Sequence, residues 1–150
     1  MVKKKLKYYL AHPILKRYEV REKELEFEEK TGIELINPFY DTYERDDMKE
    51  IDAGKIKPWD RNLDYIRIVE KDLKAIDSCI GIIAYICKEY SIGTYMELWY
   101  GMTKGKIIYI VTPSFSTHPW LKYVVYKTNG KIVKSFKELE EILKEINNLW

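Results

Sequence analysis

The chain has 150 residues and a mass of 18.0 kDa, the size of one ordinary domain. Its 46% hydrophobic and 33% charged residues exclude a disordered chain, and 26 basic against 24 acidic side chains give a formal charge of +2, too weak a bias to call for nucleic acid. No apolar run approaches the roughly 18 residues of a membrane span, and the start MVKKKLKYYLAHP reaches a proline too soon for a signal peptide, so one cytoplasmic domain over residues 1–150 is expected.

Residues 6–11 (LKYYLA) form a short apolar and aromatic run stopped by His12-Pro13, which predicts a first strand. Over residues 16–31, Tyr18, Val20, Leu25 and Phe27 sit among charges. That pattern predicts a solvated helix closed by Gly32, with its charges on a wet face. Residues 33–36 predict a second short strand, ended by Asn37-Pro38. Residues 37–60 are weakly periodic and rich in acids; irregular stretches of this length are usually lids or binding loops. From Arg61 to Asp77, the residues Leu63, Ile66, Val69, Leu73 and Ile76 fall at helical spacing, with Asp60 as the expected N-cap.

Residues 80–86 (IGIIAYI) are almost continuously apolar, as in a strand buried on both faces of a parallel sheet. A loop and a helix follow, then a second fully apolar strand over 106–111, ended by Thr112-Pro113. Residues 114–127 predict a loop with a short helix around Trp120–Val125. Asn129-Gly130 is a turn signal, 131–133 a short last strand, and Ser135-x-x-Glu138 a capping box that opens a helix over 136–148. Strands alternating with helices imply right-handed crossovers and a parallel sheet covered on both sides. Such a sheet binds ligands at the carboxyl ends of its strands, near the topological switch point. That rule directs attention to residues 12–17, 87–97 and 112–118.

The segment Ser91-Ile92-Gly93-Thr94-Tyr95-Met96-Glu97 places two hydroxyls and a glycine where a buried strand hands over to a helix. Free N–H groups there favour an anion. Neither GxxxxGK[ST] nor GxGxxG is present, so the ligand is expected to be a mononucleotide or a sugar rather than a dinucleotide. Glu97 has two readings. Thr94-x-x-Glu97 fits a capping box, and Glu97 also fits a catalytic carboxylate one turn into the helix. Asp72 is placed beside the buried face of its helix, and Asp77 near that helix's end. Cys79 and Cys87 read as small buried hydrophobes, too far apart along a strand to bond. His12 and His118 belong to no metal-ligand spacing, and neither a metal nor another cofactor is expected.

These residues resemble a known family. Tyr9-Leu10-Ala11-His12-Pro13-Ile14 is similar to the YLAGPI-type start of the nucleoside 2-deoxyribosyltransferases, a family that includes the related 2′-deoxynucleoside 5′-phosphate N-hydrolases. Asp72-Leu73, Ser91-x-Gly93-x-x-x-Glu97-Leu98 and Gly105-Lys106 resemble its D-L…[DS]-x-G-x-x-x-E-L…G-K signature, and the likeness runs from about residue 6 to 127. It implies a flavodoxin-like or Rossmann-like three-layer α/β sandwich with a five-stranded, mainly parallel sheet. It also implies cleavage of the N-glycosidic bond of 2′-deoxynucleosides or their 5′-monophosphates. By position, Glu97 would be the nucleophile, Tyr9 would orient it, and Asp72 would hold the sugar and assist the departing base. The substrate would contact His12, Pro13, Ile14, Ser91, Gly93 and Thr94. A homo-oligomer with shared sites is implied, to which Ser116, Thr117 and His118 would contribute across an interface; Trp120, Tyr123 and Tyr126 either form that apolar interface or pack in the core. Phe39, Tyr40, Tyr43 and Trp59 are candidates to stack on the base.

Three departures from the family pattern stand out. Ser91 replaces an acid that grips a free 5′-hydroxyl, which favours a phosphorylated substrate. His12 replaces a glycine and would narrow the pocket or donate to a phosphate; Lys16 and Arg17 read first as helix-surface charge and second as groups in reach of the same anion. Cys79-Ile80 replaces an acid whose counterpart would be Asp77. The competing reading is a non-catalytic module that binds a nucleotide as a sensor or an assembly subunit.

Overall fold

The computed structural model describes residues 5–41, 46–60, 63–89 and 91–148. Five strands, β1 (Lys7–Ala11), β2 (Glu34–Ile36), β3 (Gly81–Tyr85), β4 (Ile107–Val111) and β5 (Ile132–Val133), form one sheet in the order β2-β1-β3-β4-β5. Every neighbouring pair is parallel. The helices are α1 (Arg17–Thr31), α2 (Asp46–Asp52), α3 (Tyr65–Asp77), α4 (Ile92–Thr103), α5 (Pro119–Thr128) and α6 (Phe136–Asn148), with a 3-10 turn at Ile14–Lys16. This is the three-layer α/β architecture expected from the alternating pattern. Among the described residues, no helix is long and apolar enough to cross a membrane.

The layers follow from strand alternation. Successive side chains of a strand point to opposite faces. Leu10 and Ile83 join Val20, Phe27, Leu139 and Leu143 under α1 and α6. Tyr9, Ala11, Ile82 and Ile110 join Ile76, Leu98, Leu121 and Val124 under α3, α4 and α5. All five residues of β3 are buried, so it reads as an unbroken apolar run. Each fully buried aliphatic side chain contributes about 1.5–3 kcal/mol. Gly101 lets α4 press onto the sheet, since a Cβ there would run into Ile82. The strand order reverses between β1 and β3, and the crevice at their carboxyl ends is the place where such sheets bind ligands.

Several local expectations hold. Gly32 closes α1 at φ +71°, where its N–H reaches the Glu28 carbonyl at 2.9 Å. Ser135 Oγ accepts from Glu138 N–H at 3.2 Å, while Glu138 Oε2 accepts from Lys134 N–H, one residue earlier than a standard box. Others need correction. Asp64, not Asp60, caps α3, its carboxylate accepting from Arg67 N–H at 3.2 Å. The expected helix start at Arg61 lies outside the described residues. The irregular stretch 37–60 contains α2, too short for an apolar period to show. On α1, Tyr18 and Leu25 are exposed, whereas Glu24 is fully buried with Val20 and Phe27. Cys79 is buried, Cys87 half-buried, and both are free thiols.

Candidate active site

A cavity of about 800 Å³ opens at the carboxyl ends of β1 and β3. His12 and Ile14 come from the loop after β1, Pro38 and Phe39 from the loop after β2, and Pro58 and Trp59 from the turn before α3. One side is α3, through Ile68, Val69, Asp72 and Leu73; the opposite side is α4, through Ser91–Thr94, Met96, Glu97 and Tyr100. The loops of the switch point thus converge as the topology requires.

The first turn of α4 is organised by Ser91, which is extended at φ −150°. Its Oγ accepts from Thr94 N–H at 3.4 Å and lies 2.6 Å from Thr94 Oγ1. The positive end of a helix twelve residues long therefore faces the cavity, with two hydroxyls beside it. A Cβ on Gly93 would lie 3.9 Å from Glu97 Oε1, an ordinary contact, which places this residue's backbone directly beside the carboxylate.

Glu97 does not cap this helix. The cap is Ser91, which makes Thr94 the third helical residue and Glu97 the sixth, beyond the N–H groups that need an outside acceptor. The Glu97 carboxylate instead accepts from the hydroxyl of Tyr9, a fully buried β1 side chain. Tyr9 points to this side of the sheet by strand alternation, and Glu97 reaches it from the position just before Leu98, which packs on the sheet. Asp72, half-buried on α3, lines the same cavity, and its Oδ1 is buried.

His12 is placed differently from the sequence expectation. It is 3% exposed, and both its ring nitrogens meet acceptors of the protein: Nε2 lies 3.1 Å from Asn37 Oδ1 and Nδ1 3.2 Å from the Pro13 carbonyl. It narrows the cavity, edge-on to Phe39 with ring centres 5.0 Å apart, but its nitrogens are turned to the loop rather than offered to a phosphate. Burial pushes the imidazole below its ordinary pKa, against the opposing pull of its two hydrogen-bond partners. Arg17 is likewise committed, to Asp52 at 2.9 Å and to the Ile14 carbonyl at 2.8 Å, and Lys16 sits 3.8 Å from Glu19. Pro13 serves through its carbonyl, which accepts from Lys16 N–H.

Asp77 reaches the site through a residue the sequence reading did not name. Its Oδ1 accepts from the hydroxyl of Tyr100, a cavity wall, at 2.8 Å, and this bond raises the Tyr100 pKa. Lys106 ties the same corner by donating to the carbonyls of Asp77 and Cys79 at 3.0 and 2.7 Å, which explains the Gly105-Lys106 pair structurally. Thr117 and His118 are not brought into the cavity by their own chain. Thr117 is an exposed turn residue, and His118 caps α5, its Nδ1 accepting from Trp120 N–H at 3.3 Å. Trp120 and Tyr126 are 67% and 77% exposed, so they are surface residues rather than core. Of the base-stacking candidates, Phe39 and Trp59 line the cavity, Tyr40 lies under Arg21, and Tyr43 is outside the described residues. Among the described residues, no group of three His, Cys, Asp or Glu side chains is placed to hold a metal ion.

No protein-family model matches the sequence, and no curated protein matches it. Solved structures do match. A 2-deoxyribosyltransferase from Bacillus psychrosaccharolyticus superposes with a TM-score of 0.60 at 17% identity, over 89% of this chain and 90% of that one. The CMP N-glycosidase BcmB of Clostridium botulinum superposes with a TM-score of 0.54 at 20% identity, over 96% and 99%. The chain therefore shares the fold of these two enzymes over nearly its whole length.

Proposed function

We propose that the chain is an N-glycosidase or deoxyribosyltransferase of the nucleoside 2-deoxyribosyltransferase family, acting on a nucleoside or its 5′-monophosphate. One observation carries this reading: the Glu97 carboxylate accepts from the hydroxyl of Tyr9 at the edge of a cavity it shares with Asp72. The fold of the two neighbouring enzymes, one acting on a nucleotide and one transferring deoxyribose, supports the same chemistry.

In this mechanism a Glu97 oxygen attacks the anomeric carbon while the bond from that carbon to the base nitrogen breaks. The transition state is oxocarbenium-like, and a facing carboxylate stabilises its charge. The bond pair leaves with the base, and protonated Asp72 supplies the proton the base needs. Water or a second base then attacks the anomeric carbon, gives its proton to Asp72 and releases Glu97 as carboxylate. Tyr9 fixes Glu97 through its hydroxyl. Ser91, Gly93, Thr94 and the α4 N-terminus receive the 5′ end of the sugar; hydroxyls and helix N–H groups with no acid among them suit a phosphate. Phe39 and Trp59 offer aromatic faces to the base.

The exposed aromatic surface of Trp99, Trp120, Tyr123 and Tyr126 around α5 supports a homo-oligomer. In such an assembly Thr117 and His118 would complete a neighbour's site.

The test is an incubation of a deoxynucleoside with a different free base, followed by chromatography, repeated with deoxynucleoside 5′-monophosphates and with CMP. A new nucleoside means transfer, and a free sugar or sugar phosphate means hydrolysis. Glu97→Ala should lower base release by on the order of a thousandfold or more while the protein stays folded, its thermal midpoint down only by the few degrees that the lost Tyr9 bond costs. Binding without any base release by the natural protein would instead favour the sensor reading.

A further inference from the structure

A buried polar chain runs from α1 to the cavity wall. Glu24 is 0% exposed, and its two carboxylate oxygens each lie 3.0 Å from Arg21 Nη1. Oε2 also accepts from the carboxamide Nδ2 of Asn37 at 3.0 Å. Asn37 is itself fully buried, at the end of β2. Its Oδ1 accepts from Phe39 N–H at 3.0 Å and faces His12 Nε2. Taking a carboxylate out of water costs several kcal/mol unless it is well satisfied, and apolar residues stabilise a core as well or better. A buried acid at this place therefore needs a reason beyond stability.

The donor logic supplies one. The Glu24 carboxylate can only accept, so the Asn37 NH₂ must point at it, and Asn37 Oδ1 must point the other way. Phe39 N–H requires the same orientation. His12 can then bond to Oδ1 only with a proton on Nε2, at the expense of the competing bond from Nδ1 to the Pro13 carbonyl 3.2 Å away. We propose that Glu24 is a positioning residue of the cavity: acting through Asn37, it locks His12 in the Nε2–H tautomer and in one orientation against Phe39, and so fixes the wall on which the nucleotide packs. The consequence for turnover rests on the reading of this cavity as a nucleotide site; the locking itself does not.

Charged neighbours bear on the chain from each element packed against it. Arg21 and Glu28 are on α1, and Asp41, whose carboxylate accepts from Asn37 N–H at 3.0 Å and lies 3.5 Å from Arg21, is in the loop after β2. On the cavity side the titratable groups are Asp72, Glu97 and Tyr100. Burial pushes the Glu24 carboxyl up to about 7, with Asn37 and Arg21 pulling it back.

The natural protein, Glu24→Leu and Glu24→Gln are compared at pH 8 by nitrogen-15 spectra of the histidine rings, of which there are only two, His118→Gln serving to assign them. The natural protein should show His12 protonated on Nε2. Glu24→Leu removes the acceptor facing Asn37 and should show exchange with the Nδ1–H tautomer, which the Pro13 carbonyl accepts. Glu24→Gln keeps a carbonyl oxygen there and should restore the natural spectrum. In kinetics with the nucleotide found to be cleaved, Glu24→Leu should raise KM about tenfold with kcat within about twofold, the scale of one lost charge-assisted hydrogen bond, and Glu24→Gln should stay close to the natural protein. A His12 proton on Nδ1 in the natural protein, or ring spectra and KM unmoved by Glu24→Leu, overturns the proposal while leaving the reaction intact. If no nucleotide is cleaved, the reading of the reaction fails, and the ring spectra still decide whether Glu24 sets the lock.

Discussion

The hydroxyl of Tyr9 and the carboxylate of Glu97 are 88 positions apart in the chain and hydrogen-bonded in the fold. Tyr9 is fully buried on β1, between β2 and β3, so the bond anchors a cavity side chain to the sheet. Tyr9→Phe keeps the ring and its packing and removes only the donor. A hydrogen bond to a charged group is worth about 1.5–3 kcal/mol, so kcat should fall roughly 10- to 100-fold with KM little changed. Steady-state kinetics on the cleaved nucleotide checks this; an unchanged kcat would show that the bond does not orient Glu97 for attack.

Asp72→Asn should separate the two carboxylates. An amide cannot protonate a departing base, so the loss in kcat should be largest for bases that leave reluctantly and smallest for bases that leave without a proton. The measurement is a comparison of rates across nucleosides graded by leaving-group basicity. An equal loss across the series would assign Asp72 to holding the sugar alone.

Trp120 is 67% exposed and its ring centre lies 6.0 Å from that of Trp99. Trp120→Glu places a charge in this apolar surface, where desolvation would oppose any subunit contact. Light scattering should show a lower mass for the variant than for the natural protein, and activity should fall with it. A monomeric natural protein would remove the oligomer from the reading.

Glu24 also makes stability depend on pH. Its pKa is raised in the folded protein to about 7 from 4.5. Between those values the folded chain holds a proton that the unfolded chain has released, so this group's contribution to stability is whole below about pH 4.5 and is lost as pH rises through about 7. Urea midpoints of the natural protein minus those of Glu24→Gln should therefore decline across that window. A difference that rises with pH would mean that Arg21 and Asn37 outweigh burial.

Much of this was legible in the residues. The apolar run of β3 and its neighbours at 6–11 and 107–111 announced a parallel sheet, because strands covered on both faces carry no polar alternation. Ser91, Gly93 and Glu97 drew attention as small, hydroxyl and acidic residues at a strand-to-helix junction, whereas Asp72, in the middle of α3, was singled out by the family resemblance. What escaped was what depends on the third dimension. The role of Glu97 turned on which residue begins α4, a choice that Ser91 and Thr94 contest on paper. Tyr100 looked like ordinary helix surface until Asp77 was placed beside it. Glu24 was hidden in a run of charges, although a signal existed: it lies four residues after Val20 and three before Phe27, on the buried stripe, whereas Leu25 does not. Apolar identity outweighed position in the reading, and position was right.

The central place of β1, with β2 on one edge and β3 on the other, has a consequence for how activity arises. The part of the chain before residue 60 carries Tyr9 and His12; the part after it carries Asp72 and Glu97. Neither part owns a complete pocket, and the two meet through the β1–β3 pairing and the packing of α1 on α6. Two fragments cut near residue 55 and mixed should regain turnover only as β1 docks on β3 and α1 on α6, which makes catalysis itself a reporter of that docking.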